Sequence, residues 1–364
     1  MKQTFVILSC AFLFLLLRYN LKEGEVGKVI FVLINMILLC SLAFILFYTE
    51  KIRFLKKDSS EILLDILKRY PDLYKAFKNT TLDTMTFSIP GLFKAQTLEK
   101  DSKKLDDCYD MTPQGLAVTE NYIFISAYCY SHKHHSVIFM LDKKEIDPPK
   151  TMILKDRTHA GGLAYDENRQ CLWVCSAAKN HGRVSAILKD DILSYQFMPN
   201  PEIIPYYHSI NFPTISQASF ITIKENSLFA GIFDKTKDGA IVKTTFDKGE
   251  EFANDDSVDE TIDIPKRAQA MAFYKEYCLI SQSFGPVNSK IYIFSNEQLS
   301  SGKLNSKAAL KIIKAPPYLE QIAVFDTHLY AIFESGARNY RKKTAKFLME
   351  VVVFHLPTLL DTVE

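Results

Sequence analysis

The chain repeats itself, and the repeat is what most limits how it can fold. Five stretches align: PQGLAVTENYIFISAY, AGGLAYDENRQCLWVCSA, SQASFITIKENSLFAGIF, AQAMAFYKEYCLISQSF and EQIAVFDTHLYAIFES. Each reads as an apolar strand, a short polar turn and a second strand. The turns hold Glu120-Asn121, Asp166-Glu167-Asn168, Glu225-Asn226, Lys275-Glu276 and Asp326-Thr327, which is hairpin chemistry. A third strand follows each pair: SVIFMLDKK, RVSAILKDD, AIVKTTFDK, KIYIFSNEQ and FLMEVVVFHL. Fourth strands are fainter, as in KTMILKD, ETIDIPK and ALKIIKAP. A unit this small cannot bury its own apolar face and has to stack on copies of itself.

One column fixes the register. Gln114, Gly161, Gln217, Gln269 and Gln321 stand just before the first strand of each unit, with separations of 47, 56, 52 and 52 residues. Four-stranded antiparallel units repeating in this way predict an all-β β-propeller over residues 81–364, in which radial repetition leaves only short, protected edges. The first strand of each blade lines the central channel, so the column predicts a ring of amides at one mouth. Five blades are legible. TLDTMTFSIPGLFKAQTL, residues 81–98, has no partner repeat and can supply the outer strand of the last blade. The alternative is a degenerate sixth blade from 81–110, about thirty residues being short for four strands.

Ahead of the repeats lie two apolar runs. Residues 29–49 form a 21-residue stretch without charge, long enough to span a bilayer. Residues 5–17 are shorter and read as a tight span, half of a helical hairpin, or the apolar region of an uncleaved signal. Residues 1–57 are therefore expected to be a membrane segment. If both runs span, the Lys/Arg bias puts the large domain in the cytoplasm; if only the second spans, the flanking charges do not decide. Residues 58–80 then read as an amphipathic juxtamembrane helix with Leu63, Ile66, Leu67, Tyr70, Leu73 and Phe77 on one face, divided at Pro71. It either lies on the bilayer or packs on the domain.

The charge balance, 44 Lys plus Arg against 42 Asp plus Glu, excludes an electrostatic nucleic-acid binder. The seven cysteines show neither a disulfide framework nor a zinc-ribbon spacing and read as buried free thiols.

MTPQG, YIFISAY, HKHHSVIF, AGGLAYD, LISQSFG and LYAIFESGA resemble motifs of a functionally uncharacterised bacterial propeller family of Gram-positive type. The resemblance covers about residues 85–356. It implies a membrane-anchored or exported protein with the domain outside the cell. More distantly the architecture is similar to lactonase and strictosidine-synthase propellers, which hold a metal in the channel with Glu, Asn and Asp. This chain has glutamine at the channel position, which counts against a calcium-lactonase reading.

Second strands should end at the mouth where the first strands begin, so one face collects the chemistry. The expected ligand-binding residues are Gln114, Tyr128, His132, His135, His159, Gln217, Gln269, Ser283, Gln321 and Glu334. The cluster SHKHHS also makes His132, His134, His135 and His159 candidate ligands for zinc or another divalent metal. No Gly-x-Ser-x-Gly elbow is present. RNYRKKTAK, residues 338–346, reads as an exposed basic loop. The favoured function is a membrane-anchored binding or scaffolding module for a small polar ligand, a glycan or a protein. The alternative is a metal-assisted hydrolase, lactonase- or esterase-like, on the same face.

Overall fold

The computed structural model describes residues 33–45, 59–144, 148–155, 159–246, 258–344 and 347–361. The chain divides into two units, Met1–Ile62 and Leu63–Glu364. In the first, residues 33–45 form helix α1, with Met36, Ile37, Leu39 and Phe44 exposed. The run 5–17 and both ends of the run 29–49 lie outside the described residues. Among the described residues no helix is long and apolar enough to cross a membrane.

The second unit is a five-bladed propeller. It begins with strand β1 (Thr86–Ser88) and the hairpin β2 (Ala95–Leu98) and β3 (Leu105–Cys108). Blade 1 is β4 (Met111–Val118), β5 (Tyr122–Cys129), β6 (Val137–Asp142) and β7 (Lys150–Ile153). Blade 2 is β8 (Leu163–Asp166), β9 (Cys171–Cys175), β10 (Gly182–Leu188) and β11 (His208–Phe212). Blade 3 is β12 (Phe220–Lys224), β13 (Ser227–Gly231), β14 (Gly239–Thr245) and β15 (Glu260–Ile264). Blade 4 is β16 (Ala268–Tyr274), β17 (Tyr277–Gln282), β18 (Ser289–Ser295) and β19 (Lys311–Ala315). Blade 5 has β20 (Leu319–Phe325), β21 (His328–Phe333) and β22 (Glu350–His355), and β1 completes it. Thr86, Phe87 and Ser88 pair with Val352, Val351 and Glu350. The unpartnered segment 81–98 thus closes the fifth blade, and there is no sixth.

Each sheet is covered on both faces by its neighbours. That is why β5 and β9 are buried along nearly their whole length rather than alternating in and out. Between blades 5 and 1 pack Tyr330, Ile332, Val351 and Val353 with Leu116, Ile123 and Ile125. Between blades 2 and 3, Trp173 and Phe212 meet Ile221 and Phe246. Serine hydroxyls tie second strands to the next inner strand: Ser126 Oγ donates to Ala160 O at 2.6 Å, and Ser281 Oγ to Glu320 O at 3.5 Å.

The glutamine column behaves differently from a simple ring. In blades 2 and 3 it precedes the inner strand, as expected. In blades 1, 4 and 5 it falls inside that strand, at bulges between Pro113 and Leu116, Ala268 and Ala270, and Leu319 and Ile322. A bulge turns the extra side chain off the pleat, and here towards the axis. Gly161 interrupts the column because a Cβ there would collide with the Ser219 carbonyl of blade 3. Gln321 crosses the channel. Its Oε1 accepts from the backbone N–H of Leu116 (2.7 Å) and Leu163 (3.1 Å), and its Nε2 donates to Leu163 O (2.8 Å). One carboxamide from blade 5 therefore holds the inner strands of blades 1 and 2.

The stem is two helices, α2 (Ser59–Leu67) and α3 (Pro71–Lys78), separated at Pro71 as the sequence predicts. Short helices α4 (Lys189–Ser194), α5 (Asn296–Ser300), α6 (Arg338–Arg341) and α7 (Leu356–Leu360) follow in the blades. The apolar face of the stem packs on the propeller. Leu63, Ile66, Leu67, Leu73 and Phe77 are buried, and Phe77 meets Phe354 edge-on. The Tyr70 hydroxyl donates to Asn288 Oδ1 at 2.9 Å. Of the two roles open to this stem, the propeller surface takes the apolar side chains.

Gln321→Leu leaves two buried N–H groups and one carbonyl without partners, each costing about 1–3 kcal/mol. A loss of several kcal/mol in the denaturant midpoint analysis is expected, against a change near zero for the exposed Gln217→Leu.

Candidate ligand-binding site at the channel mouth

The inner strands start and the second strands end around a solvent-open cavity of about 940 Å³. Two carboxyl groups define its floor. Glu320 comes from the bulge of β20, next to Gln321, so one side chain faces the mouth while its neighbour enters the channel. Glu334 begins the 3-10 turn that ends β21. Tyr318 sets this up with a left-handed backbone, φ 64°, a costly conformation for a bulky residue. Its carbonyl accepts from Glu334 N–H at 3.0 Å, and its ring stands edge-on to Tyr340 at 5.3 Å.

Glu320 and Glu334 are buried and hydrogen-bonded to each other. Desolvation raises Glu320 well above the usual carboxylate range, and the Glu334 charge raises it further. Desolvation also lifts Glu334, to about 7, despite hydrogen bonds from Tyr340, Glu320 and Gln114 that favour its charged form. Two touching carboxyls cannot both ionise cheaply, so the pair shares a proton. Burial and the Glu334 charge push the Tyr340 hydroxyl up, and burial does the same to Tyr128, hydrogen-bonded to Tyr340. Lys343 lies 4.9 Å from the Tyr340 ring centroid at the rim.

The expected site residues divide between this cavity and other places. Gln114 Nε2 reaches Glu334 Oε2 at 3.4 Å, and Gln269 Nε2 reaches Glu320 Oε1 at 3.4 Å. Tyr128, His132, His159, Gln217, Ser283 and Glu334 also line the cavity. His159 stands 4.2 Å from Tyr128 by ring centroids and 6.2 Å from His132. Gln321 does not line it, because the channel interior takes its carboxamide. His135 is buried against Leu154 O, 2.9 Å from Nδ1. His134 turns to Cys129 and Asp106. The three histidines of SHKHHS and His159 therefore do not converge on one metal: His132 turns to the mouth with His159, whereas His134 and His135 both turn inward, to different partners.

Among the cavity residues, the sequence reading misses Glu320, Tyr318, Tyr340 and Lys343. Glu320 carried a signal. In the residue just before the column the other blades have Pro113, Ala160, Ser216 and Ala268, so a carboxylate there stands out. Tyr340 and Lys343 sit in the segment read as a basic loop; its first residues form α6, which carries Tyr340, and Lys343 follows in the turn after it, both lining the mouth.

No family model matches this chain, and no curated protein does. Among solved structures it is similar to the crystal structure of Myxococcus xanthus glutaminyl cyclase, at 12% identity over 74% of this chain and 96% of that one, with a TM-score of 0.42. It is also similar to the structure of BamB from Moraxella catarrhalis, at 12% identity over 75% and 70% of the two chains, with a TM-score of 0.34. A third likeness is to the nidogen/laminin complex, at 12% identity over 66% and 84%, with a TM-score of 0.38. The pairing of this chain's strands into five four-stranded sheets is by itself that of a propeller.

The carboxyl pair gives the domain a pH signature. A raised folded-state pKa means that the native form keeps a proton that the unfolded chain releases. The stabilisation is complete below about 4.5 and is lost as pH rises towards about 7. Thermal melts across that window should show stability falling with pH, with at most about 1.4 kcal/mol lost per unit per proton. Glu334→Gln should flatten the slope.

Proposed function

We propose that the mouth cavity binds a small, hydroxyl- or amide-rich ligand of about saccharide size, and that the chain is a binding module held at a membrane. The observation that carries this is the proton-sharing Glu320–Glu334 pair on the floor of a cavity of about 940 Å³. A protonated carboxyl beside an ionised one presents a donor and an acceptor together, which matches a hydroxyl or primary amide. Gln114 and Gln269 brace the pair, while Phe233 and Phe284, 6.5 Å apart by ring centroids, also line the cavity. The rest of the lining mixes amides, hydroxyls and imidazoles with aromatic rings, which suits a polar ligand rather than an apolar one.

Calorimetric titration with neutral mono- and disaccharides and with amino-acid amides tests the reading. One class should bind the native protein and bind Glu334→Gln roughly tenfold or more weakly, as expected for a lost hydrogen bond to a charged group. No binding by either class, or equal binding in Glu334→Gln and Tyr128→Ala, would overturn it.

Hydrolysis on the same face is the second reading, favoured by one observation. A carboxyl pair sharing a proton can position and deprotonate a water. Its two groups are in hydrogen-bond contact, far closer than the about 5–9.5 Å of glycosidase carboxyl pairs, so an acyl or amide substrate fits better than a glycoside.

The membrane part of the proposal rests on the uncharged length of residues 29–49 and on the resemblance to anchored or exported propellers. It takes the propeller as facing outward. Protease added to intact cells should remove the domain; full protection until the cells are lysed would reverse the orientation.

A further inference from the structure

Cys108, Cys129 and His134 form a cluster away from the mouth, all buried, with their ligand atoms within 4.8 Å of one another. Cys129 ends β5 and His134 lies across the turn that follows. The turn is tight: His132 N–H donates to Cys129 O at 2.8 Å, and His132 has φ 53°. It brings His134 Nδ1 to 3.3 Å from Cys129 Sγ. Cys108 ends β3, and Asp106, two residues earlier, shares its face of that strand. Asp106 Oδ2 is 3.1 Å from His134 Nε2.

The hairpin that supplies Cys108 is itself fastened to the loop. His135 N–H donates to Leu98 O at 2.9 Å, Lys100 N–H to Lys133 O at 2.8 Å, and Thr97 Oγ1 to His135 O at 3.2 Å. Two thiols and an imidazole are thus held together by two backbone hydrogen bonds and one from a threonine hydroxyl between hairpin and loop. Tetrahedral zinc with Cys and His ligands needs donor atoms about 3.3–3.8 Å apart. A carboxylate on the far nitrogen of the imidazole is the outer-sphere partner that fixes a metal-bound histidine and raises its basicity.

We propose that Cys108, Cys129 and His134 bind one thiophilic d10 cation, zinc in the first instance, with Asp106 orienting His134. The fourth position belongs to water or another small donor, since no further Cys, His, Asp or Glu among the described residues joins the cluster. The ion is structural: it staples the hairpin β2–β3 to blade 1 and fixes the loop whose exposed side carries His132 into the mouth. Cys129 is 1% exposed and does not line the mouth cavity. Steady turnover of a substrate at the sulfur is therefore disfavoured, whereas an ion acquired on folding needs no permanent path.

The full chain, purified under reducing, chelator-free conditions, is analysed for metal by mass spectrometry. About one zinc per chain is expected, released when both thiols are titrated with a mercurial. Cys129→Ser and His134→Ala should lose the metal. Asp106→Ala should retain the fold and bind zinc about 10–100-fold more weakly. Cys278→Ala, a buried thiol in blade 4, should keep it. Cobalt exchanged into the native protein should show thiolate charge transfer and the intense d–d bands of a four-coordinate site, which keeps the test independent of how the variants fold. Native protein without zinc or cobalt uptake, or with Cys108 and Cys129 joined as a disulfide at two mass units less under the same reducing conditions, overturns the proposal. So does zinc binding left unchanged by Asp106→Ala.

Discussion

The inner ring of this propeller is held by a side chain rather than by backbone pairing alone. Inner strands of adjacent blades pack but do not share a ladder, so nothing in sheet geometry fixes their height relative to one another. Gln321 supplies that reference by satisfying backbone groups of both Leu116 and Leu163. Its reach across the axis is possible because β20 is bulged at Glu320 and Gln321. The same bulge aims the preceding residue in another direction, which is how a buried carboxyl comes to lie on the floor of the mouth. Strength and chemistry in the channel therefore share one backbone irregularity, and straightening it would cost both.

The repeat made the architecture readable. Turn residues, apolar strands and the glutamine column located the inner hairpins of all five blades to within a few residues, and segment 81–98, having no partner repeat, was left to supply the closing strand. The site was less readable for a physical reason. A column in a repeat marks equivalent backbone positions, but bulges in blades 1, 4 and 5 break the equivalence of side-chain direction. Gln114 and Gln269 brace the carboxyls, Gln217 sits on the wall and Gln321 plugs the channel, although all four align. Glu320 belongs to no column, and Tyr340 arrives on a helix inserted between strands, so neither follows from periodicity.

The loop SHKHHS shows how closely neighbouring residues can separate in role. His132 faces the mouth with Tyr128 and His159, His134 faces the cysteines, and His135 caps the backbone of β7 at Leu154. Three histidines in four positions suggest a common ligand when read as text. In the fold they face three environments, because the loop pairs with β2 on one edge and borders open solvent on the other. The His134 and His135 imidazoles act as hydrogen-bonding links between the hairpin and blade 1, and His132 contributes ring contacts at the cavity.

Closure of the ring sets a constraint on the order of assembly. Strand β1 is among the first parts of the domain to leave the ribosome, yet its partner β22 lies more than 260 residues later, with Thr86 facing Val352. Until then blade 5 has no outer strand, and the apolar seam between blades 5 and 1 has one wall missing. Contacts so distant in sequence form slowly because a long loop must be closed before it is rewarded. A nascent chain therefore spends most of its synthesis as an open arc with a waiting terminus, and that terminus must be kept from pairing with the exposed edge of another copy.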